Sequence, residues 1–330
     1  MTTRCHFAGD RMTTRRDTLV AFVAGALATP FASAAEGPLI GVLSPFHDEH
    51  DDEARLRWWA QELGFGAAAS LRFDVRSTEG NSERLPKLAA ELVARRPALI
   101  VTWGDDGARA VLAATTRIPI VVMTEDLLGA KFVASMHRPG GNLTGVSVMA
   151  TELDAKRLEI LAEVLPRRSN VLLLADRISA PLSRPAIRAV AQSLGLSLSE
   201  AIVSTPAEIE SALSGARQRG IAGVNVLASP VLYDQSARII ALMAQHRLPA
   251  IYEWPFMAEQ GGLLGYGPDI FALFRRFAGL MVKILQGAEV AELPVEQPTK
   301  FKLVINLKTA KALGITIPQS LLLRADEVIE

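Results

Sequence analysis

Short apolar runs alternate with amphipathic stretches along most of the chain after residue 37. The runs predict buried strands, and the stretches between them repeat apolar positions at helical spacing. This alternation is typical of α/β proteins, in which helices cover both faces of a parallel sheet. In the first half of the chain it predicts strands at 38–44, 70–77, 98–104 and 118–124, with helices at 51–63, 83–95 and 105–115.

Two glycine-rich segments, 138–145 and 261–268, interrupt this alternation and are typical of turns. We therefore expect two α/β lobes of similar size, joined by more than one crossing of the chain. Between and after the interruptions, the pattern predicts helices at 151–165, 183–194, 206–219, 232–246 and 269–286, a short helix ending at Gly314, and strands at 170–175, 198–204, 221–228, 249–253 and 301–307.

The N-terminal 34 residues have the pattern of a cleavable export signal. Basic residues precede the apolar stretch 19–31, and an Ala-Ser-Ala site at 32–34 follows it. Arg15-Arg16 suggests the twin-arginine route without deciding it, and Met12 is an alternative start. We expect a periplasmic or otherwise exported protein whose mature chain does not span the membrane, because no later segment is apolar for long enough.

Composition narrows the function classes. Of the 330 residues, 49% are hydrophobic and 21% charged, which indicates a globular protein of about two domains. Lys plus Arg and Asp plus Glu number 35 each, so charge gives no reason to expect a nucleic acid partner. The single cysteine, Cys5, lies in the predicted signal, which excludes disulfides and thiol chemistry from the mature chain.

A dense cluster of ionisable residues, HDEHDDE, begins at His47 directly after the first predicted strand. His47 and His50 could share a helix face and bind zinc, but no distant histidine pattern completes such a site. Carboxylates are favoured in the first turn of a helix because they offset the helix dipole. We expect the acidic start of a helix here, with a partial ligand contact as the alternative.

Motifs for catalysis and for cofactors are absent. The chain has no phosphate-loop, zinc-protease or nucleophile-elbow motif, and the glycines at 104–107 and 140–145 lack the context of a nucleotide loop. We therefore expect no cofactor, no metal and no catalytic residue. An exported two-lobe α/β protein without a nucleophile and base suggests capture of a small molecule.

Ligands of open parallel sheets bind at the carboxyl ends of the strands, so the predicted site follows those ends. Each residue there has an ordinary structural alternative, such as core packing for a tryptophan or helix capping for an aspartate. The predicted ligand-binding residues are Ser44, Phe46, Trp103, Gly104, Asp105, Thr124, Asp126, Asp176, Ser229, Tyr252, Trp254 and Tyr266.

Four segments resemble the ABC-transporter substrate-binding protein family that includes tryptophan- and tyrosine-type binding proteins. They are RPGGNLTGVS (138–147), HRLPAIYEW (246–254), GGLLGYGPD (261–269) and, above all, the C-terminal segment 293–330. The likeness extends over essentially all of 38–330.

This resemblance implies a type I periplasmic-binding-protein fold, with two Rossmann-like lobes and a ligand cleft between them. Lobe 1 would hold 38–146 and 267–292, and lobe 2 would hold 147–266 and 293–330. It also implies a monomer that delivers a solute, such as an amino acid and possibly an aromatic one, to a membrane permease driven by an ATPase.

The chain departs from the family pattern at three places. Trp103-Gly104-Asp105-Asp106 is bulkier and more acidic than the small or hydroxyl residue of relatives, the segment at Asp126 lacks the family's Gly-Asp-Pro, and Gly265 replaces the Ser before Tyr266. The ligand is therefore expected to differ. Two other functions stay open, a ligand sensor for a membrane receptor and a hydrolase with Asp105 or Glu125 as base.

Overall fold

The computed structural model of the protein describes residues 37–45, 49–79, 81–177 and 179–330, with backbone only at 49–52, 150–152 and 179–184. The predicted export signal, Phe46 and His47 lie outside the described residues, and so does Cys5.

The first sheet has five parallel strands in the order β2-β1-β3-β4-β5. Successive side chains along each strand point to opposite faces of the sheet, and each face is covered by a layer of helices. Val101 and Trp103 face the core that contains α10, whereas Ile100 faces the core under α2 and α3. The strands are β1 (Leu39–Ser44), β2 (Arg72–Ser77), β3 (Leu99–Trp103), β4 (Ile120–Thr124) and β5 (Leu143–Ser147), and the helices are α1 (Glu49–Glu62), α2 (Leu85–Ala94), α3 (Gly104–Ala114) and, from late in the chain, α10 (Ile270–Leu285).

The second sheet has seven strands in the order β12-β11-β10-β9-β8-β6-β7. All its pairs are parallel except β10 with β11. Its strands are β6 (Asn170–Ala175), β7 (Ser197–Ile202), β8 (Ile221–Val226), β9 (Ala250–Tyr252), β10 (Leu264–Pro268), β11 (Phe301–Asn306) and β12 (Glu327–Ile329). Its helices are α4 (Ala150–Ala162), α5 (Ser179–Leu194), α6 (Pro206–Leu213), α7 (Pro230–Asp234), α8 (Ser236–Gln245), α9 (Pro255–Glu259), α11 (Leu307–Leu313) and α12 (Gln319–Leu322).

The predicted α/β class with two Rossmann-like lobes is confirmed, and so is the expected helix after β1, which begins at Glu49. The expectation that both glycine-rich segments break the pattern is wrong. Each of them contains a strand, β5 and β10. Two predicted helices also differ, because 232–246 is two helices and the helix at 206 ends at Leu213.

The chain passes between the two sheets three times. It leaves the first sheet after β5, returns between β10 and α10, and leaves again before β11. Before the last passage the segment 293–296 lies along β5, where Ser147 N donates to Glu296 O at 2.9 Å and Thr144 Oγ1 donates to Leu293 O at 2.8 Å. The exact lobe boundaries remain a prediction. In the described part of the chain, no helix combines the length and apolar character needed to cross a bilayer.

Candidate functional site

A cavity of about 410 Å³ lies where strand ends of both sheets meet, and we call it the aromatic cavity. Strands β3, β4 and β5 reach it from the first sheet, and β8, β9 and β10 reach it from the second. Parallel strands present their carboxyl ends at one edge, so both sheets contribute the same kind of loop. The aromatic cavity is lined by Trp103, Met123, Thr124, Glu125, Val148, Ala228, Ser229, Pro230, Tyr233, Trp254, Ile270 and Phe274.

The walls of the aromatic cavity are held in place by ring contacts. Trp103 stacks on Phe277 of α10 with ring centroids 5.4 Å apart. Tyr233 meets Trp254 edge-on at 6.3 Å and Phe274 at 6.5 Å. Such contacts stabilise a fixed arrangement of large apolar surfaces, which suits a flat, apolar guest.

A second cavity of about 520 Å³ adjoins the first, and we call it the acidic cavity. The two share Trp103, Glu125 and Pro230, so they are parts of one cleft. The acidic cavity is lined by Pro45, Thr78, Ser82, Leu85, Trp103, Gly104, Asp105, Asp106, Gly107, Glu125, Asp176, Pro230 and Val231.

Asp105, Thr124 and Glu125 form a buried hydrogen-bonded group at the junction of the cavities. Thr124 Oγ1 contacts Asp105 Oδ1 at a short distance and Glu125 Oε2 at 2.9 Å. A hydroxyl has only one proton to donate, so both contacts are hydrogen bonds only if one carboxyl group is protonated. The arrangement therefore favours a neutral carboxylic acid beside a carboxylate.

Burial favours the same protonation. It raises the pKa of Glu125 well above the ordinary value, and the negative charges of Asp105 and Asp176 raise it further. Burial also raises the pKa of Asp105, although the hydrogen bond from Thr124 opposes the rise. Both pKa values are therefore raised by burial, and the rise is the larger at Glu125.

Another pair of buried charged residues supports the cleft from the second sheet. Asp154 and Arg157 of α4 form a short ion pair, with side chains 0% and 1% exposed. Arg157 Nη1 also donates to Tyr266 O at 2.9 Å. Glu253 Oε2 accepts from Ser229 N at 3.0 Å and links the loops after β8 and β9, while burial raises the pKa of Glu253 well above the ordinary value.

Comparison with known proteins identifies the family. The model of the family described as ABC transporter substrate binding protein matches residues 60–329. The chain belongs to this family. The predicted resemblance is thereby confirmed.

Three proteins similar to this substrate-binding protein match it over most of its length. A tyrosine-binding protein of Clostridioides difficile is 24% identical over 261 residues, which cover 77% of this chain and 74% of the relative. The structure of an ABC domain in complex with L-Trp from Streptococcus pneumoniae is 26% identical, has a TM-score of 0.75 and covers 88% of this chain and 100% of its own. A conserved domain protein of Vibrio cholerae is 25% identical with a TM-score of 0.77, covering 88% and 99%.

Seven of the twelve predicted site residues line the cleft of the substrate-binding protein. They follow the strand ends from which they were predicted, and their role in binding a ligand remains a prediction. Gly104 has a φ of +73°, and a Cβ atom there would lie 2.9 Å from Pro230 Cγ. The seven are Trp103, Gly104, Asp105, Thr124, Asp176, Ser229 and Trp254.

Of the predicted site residues that the structure describes, four line neither cavity. Ser44 is buried at the end of β1, beside Pro45, which does line the acidic cavity. Asp126 accepts a hydrogen bond from Gly129 N at 2.9 Å and so stabilises a turn. Tyr252 is 1% exposed and lines a separate cavity, and Tyr266 lies 6.4 Å from Phe301, centroid to centroid.

Several lining residues come from helices and were not predicted. Tyr233 belongs to α7, and Ile270 and Phe274 belong to α10, which crosses from the second sheet to pack on the first. The Ser-Pro pair at 229–230 is a helix-start signal that could have indicated α7. Glu125 was noted at a strand end as a possible base, but it was not included among the predicted ligand-binding residues.

Metal ligands do not cluster in the described ranges, where no group of three His, Cys, Asp or Glu residues could hold an ion. His47 lies outside those ranges, and the side chain of His50 is not described. The metal alternative for the HDEHDDE segment therefore stays untested.

Proposed function

We propose that this protein is the extracytoplasmic solute-binding component of an ABC importer and that it captures a small molecule with an aromatic or apolar body. The observation that carries the proposal is the aromatic cavity, in which two strand ends and two helices hold four aromatic side chains around one space. Its largely apolar walls with a few polar groups are typical of a small-molecule site. The relatives described as tyrosine-binding or bound to L-Trp support an aromatic solute.

Capture would proceed by closure of the two lobes about their three connecting segments. Trp103 and Thr124 come from the first sheet, while Ser229 and Trp254 come from the second. A solute that contacts both sets stabilises the closed arrangement by the contacts it lacks in the open one. The closed form would then present the solute to a membrane permease driven by an ATPase.

Export by the predicted signal at residues 1–34 would place the mature chain, as a monomer, where it meets the solute. A sensor for a membrane receptor would need the same cleft, so the partner distinguishes the two functions. Neighbouring genes for a permease and an ATPase would support import, and a neighbouring receptor gene would support sensing.

The direct test is native mass spectrometry of the purified protein after incubation with a metabolite pool. We expect one unmodified small molecule to be retained. Release of a chemically altered product at each cycle would support the hydrolase alternative instead and would contradict the proposal.

A matched pair of variants tests whether the solute binds in the aromatic cavity. Trp254→Ala removes a wall of that cavity, whereas Trp58→Ala removes a tryptophan of α1 that is 50% exposed. We expect the first variant to weaken retention by roughly tenfold or more, because a buried aromatic contact is lost, and the second to leave it unchanged. Equal effects of the two variants would argue against this cavity.

A further inference from the structure

We infer that the cleft selects a cationic amine with an aromatic or apolar body and without a carboxylate group. The inference rests on the proposed function, since it names the chemical class of the captured solute. It is carried by an imbalance of charge at the junction of the two cavities and by a buried oxygen that lacks a donor.

The acidic cavity has carboxyl groups and no opposing base among its described lining residues. Its four acidic residues are Asp105, Asp106, Glu125 and Asp176. Two arginines outside the lining act on them. Arg109 Nη2 is 3.7 Å from Asp105 Oδ2 with its side chain 58% exposed, and the exposed Arg177 lies near Asp106. Neither arginine is among the lining residues, so neither neutralises the carboxyl groups from inside the cavity.

Asp105 provides an independent sign of a missing partner. The residue is 2% exposed, and its Oδ2 atom accepts no hydrogen bond within the described part of the chain. Arg109 is too distant for a hydrogen bond to this atom. Buried carboxylate oxygens are costly to leave without donors. An ammonium group has three donors and could serve Asp105 and Glu125 together.

The body of the solute fits the neighbouring space. The aromatic cavity is continuous with the acidic one through Trp103 and Glu125, and its remaining walls are largely apolar. A planar ring among Trp103, Trp254 and Phe274 would bring a short ammonium arm to Glu125.

A carboxylate of the solute would find no cationic side chain among the described lining residues of the cleft, and three helix starts there are already served by acidic or hydroxyl side chains. Asp105 and Asp106 occupy the first turn of α3, so its N–H groups face negative charge already. At the start of α10, Asp269 accepts from the N–H groups of Phe271 and Ala272. Ser229 likewise accepts from Leu232 N at the start of α7. A zwitterion would therefore bring an unpaired anion next to buried carboxyl groups.

Three indole compounds that share one ring system test the inference. Tryptamine is a cation, L-tryptophan a zwitterion and indole-3-propionate an anion at neutral pH. Titration calorimetry should give the tightest binding for tryptamine, by roughly tenfold or more over L-tryptophan, and the weakest for indole-3-propionate. Tenfold is what one charge-assisted hydrogen bond contributes at its lower limit.

Variants of the carboxyl group provide the second measurement. Glu125→Gln keeps the shape and cannot ionise when a cation binds, and Glu62→Gln makes the same change on the exposed end of α1. We expect the first to reduce the preference for tryptamine over indole-3-propionate and the second to leave it unchanged. Thermal unfolding of each variant establishes that it folds. If Glu125→Gln does not fold, Asp105→Asn replaces it in the same comparison.

The outcomes separate the inference from the proposed function. Tighter binding of L-tryptophan or indole-3-propionate than of tryptamine would overturn the inference and leave solute capture intact. Retention of an anionic or zwitterionic metabolite in the native mass spectrum, with no binding of any indole, would overturn it in the same way. If no indole binds and no metabolite is retained, both the inference and the proposed function fail.

Discussion

Two groups of buried charges in this protein are built on opposite principles. Asp154 and Arg157 neutralise each other, and the arginine also donates to Tyr266 O. Asp105 and Glu125 both contact one threonine hydroxyl, no basic residue is among the described lining of their cavity, and Asp105 Oδ2 accepts no hydrogen bond in the described part of the chain. The first group is complete in charge without a ligand, although Arg157 Nε has no hydrogen-bond partner in the described part of the chain. The second is incomplete, which is the property that a site for a cation needs.

The largest expected effect is a loss of unfolding free energy when the complete group, Asp154 and Arg157, is broken, compared with the loss for an exposed ion pair. Arg157→Met removes the charge that opposes the buried Asp154 carboxylate and should lower the free energy of unfolding by about 3–5 kcal/mol. Arg238→Met breaks an exposed pair with Glu210, whose atoms are 2.9 Å apart, and should cost less than about 1 kcal/mol. Denaturant unfolding measures both. Similar losses would mean that burial does not distinguish the two pairs.

The next effect concerns the incomplete group and depends on pH. The pKa of Glu125 is raised in the folded protein, so its protonated form stabilises the fold below the ordinary value of 4.5, and this stability is lost as the pH rises toward the folded pKa. Glu125→Gln cannot titrate. We expect it to be more stable than the empty wild-type protein near neutral pH, with a gap that grows by about 1.4 kcal/mol per pH unit.

Urea titrations of both proteins across the mildly acidic range would measure that gap, with Glu62→Gln as the exposed control. A gap that stays constant with pH would show that Glu125 ionises as it does in the unfolded chain, and would contradict the raised pKa.

The smallest expected effect is a difference in stability between alanine variants at two glycines, one of which lies at the junction of the cavities. Gly104 and Gly64 both have a φ of +73°, but only at Gly104 would a Cβ atom meet a neighbour, Pro230. Alanine at Gly64 should therefore cost only the backbone strain, about 1–2 kcal/mol. Alanine at Gly104 should cost more and weaken solute binding as well. Thermal unfolding measures the stability of the two variants, and calorimetry measures their solute binding. Equal stability and equal binding would contradict the close approach of Gly104 to Pro230.

Most of the fold followed from the spacing of apolar positions, and the failures have a physical cause. Strands β5 and β10 were predicted to be breaks because they contain glycines. At Gly145 a Cβ atom would lie 1.8 Å from Val122 O, and at Gly267 it would lie 2.0 Å from Glu253 O. These glycines allow close approach of neighbouring backbones inside a sheet, which sequence alone does not distinguish from a turn.

Ligands of open parallel sheets bind at the carboxyl ends of the strands, and the candidate site was predictable only as far as this strand-end rule extends. That rule places Trp103, Thr124 and Trp254 at the cleft, where the structure has them. It cannot find Phe274, which follows a predicted break and reaches the cleft only because α10 crosses to the first sheet. Nor does it find the raised pKa of Glu125, which depends on burial and on the negative charge of Asp105.

The central claim is that the solute brings the positive charge that Asp105 and Glu125 lack. Calorimetric titration with tryptamine at mildly acidic pH, in two buffers of different ionisation enthalpy, counts the protons exchanged on binding. A cation beside Glu125 lowers its pKa, so the wild-type protein should release about one proton and Glu125→Gln should release fewer. Binding of tryptamine with no release, or with uptake, would contradict the claim.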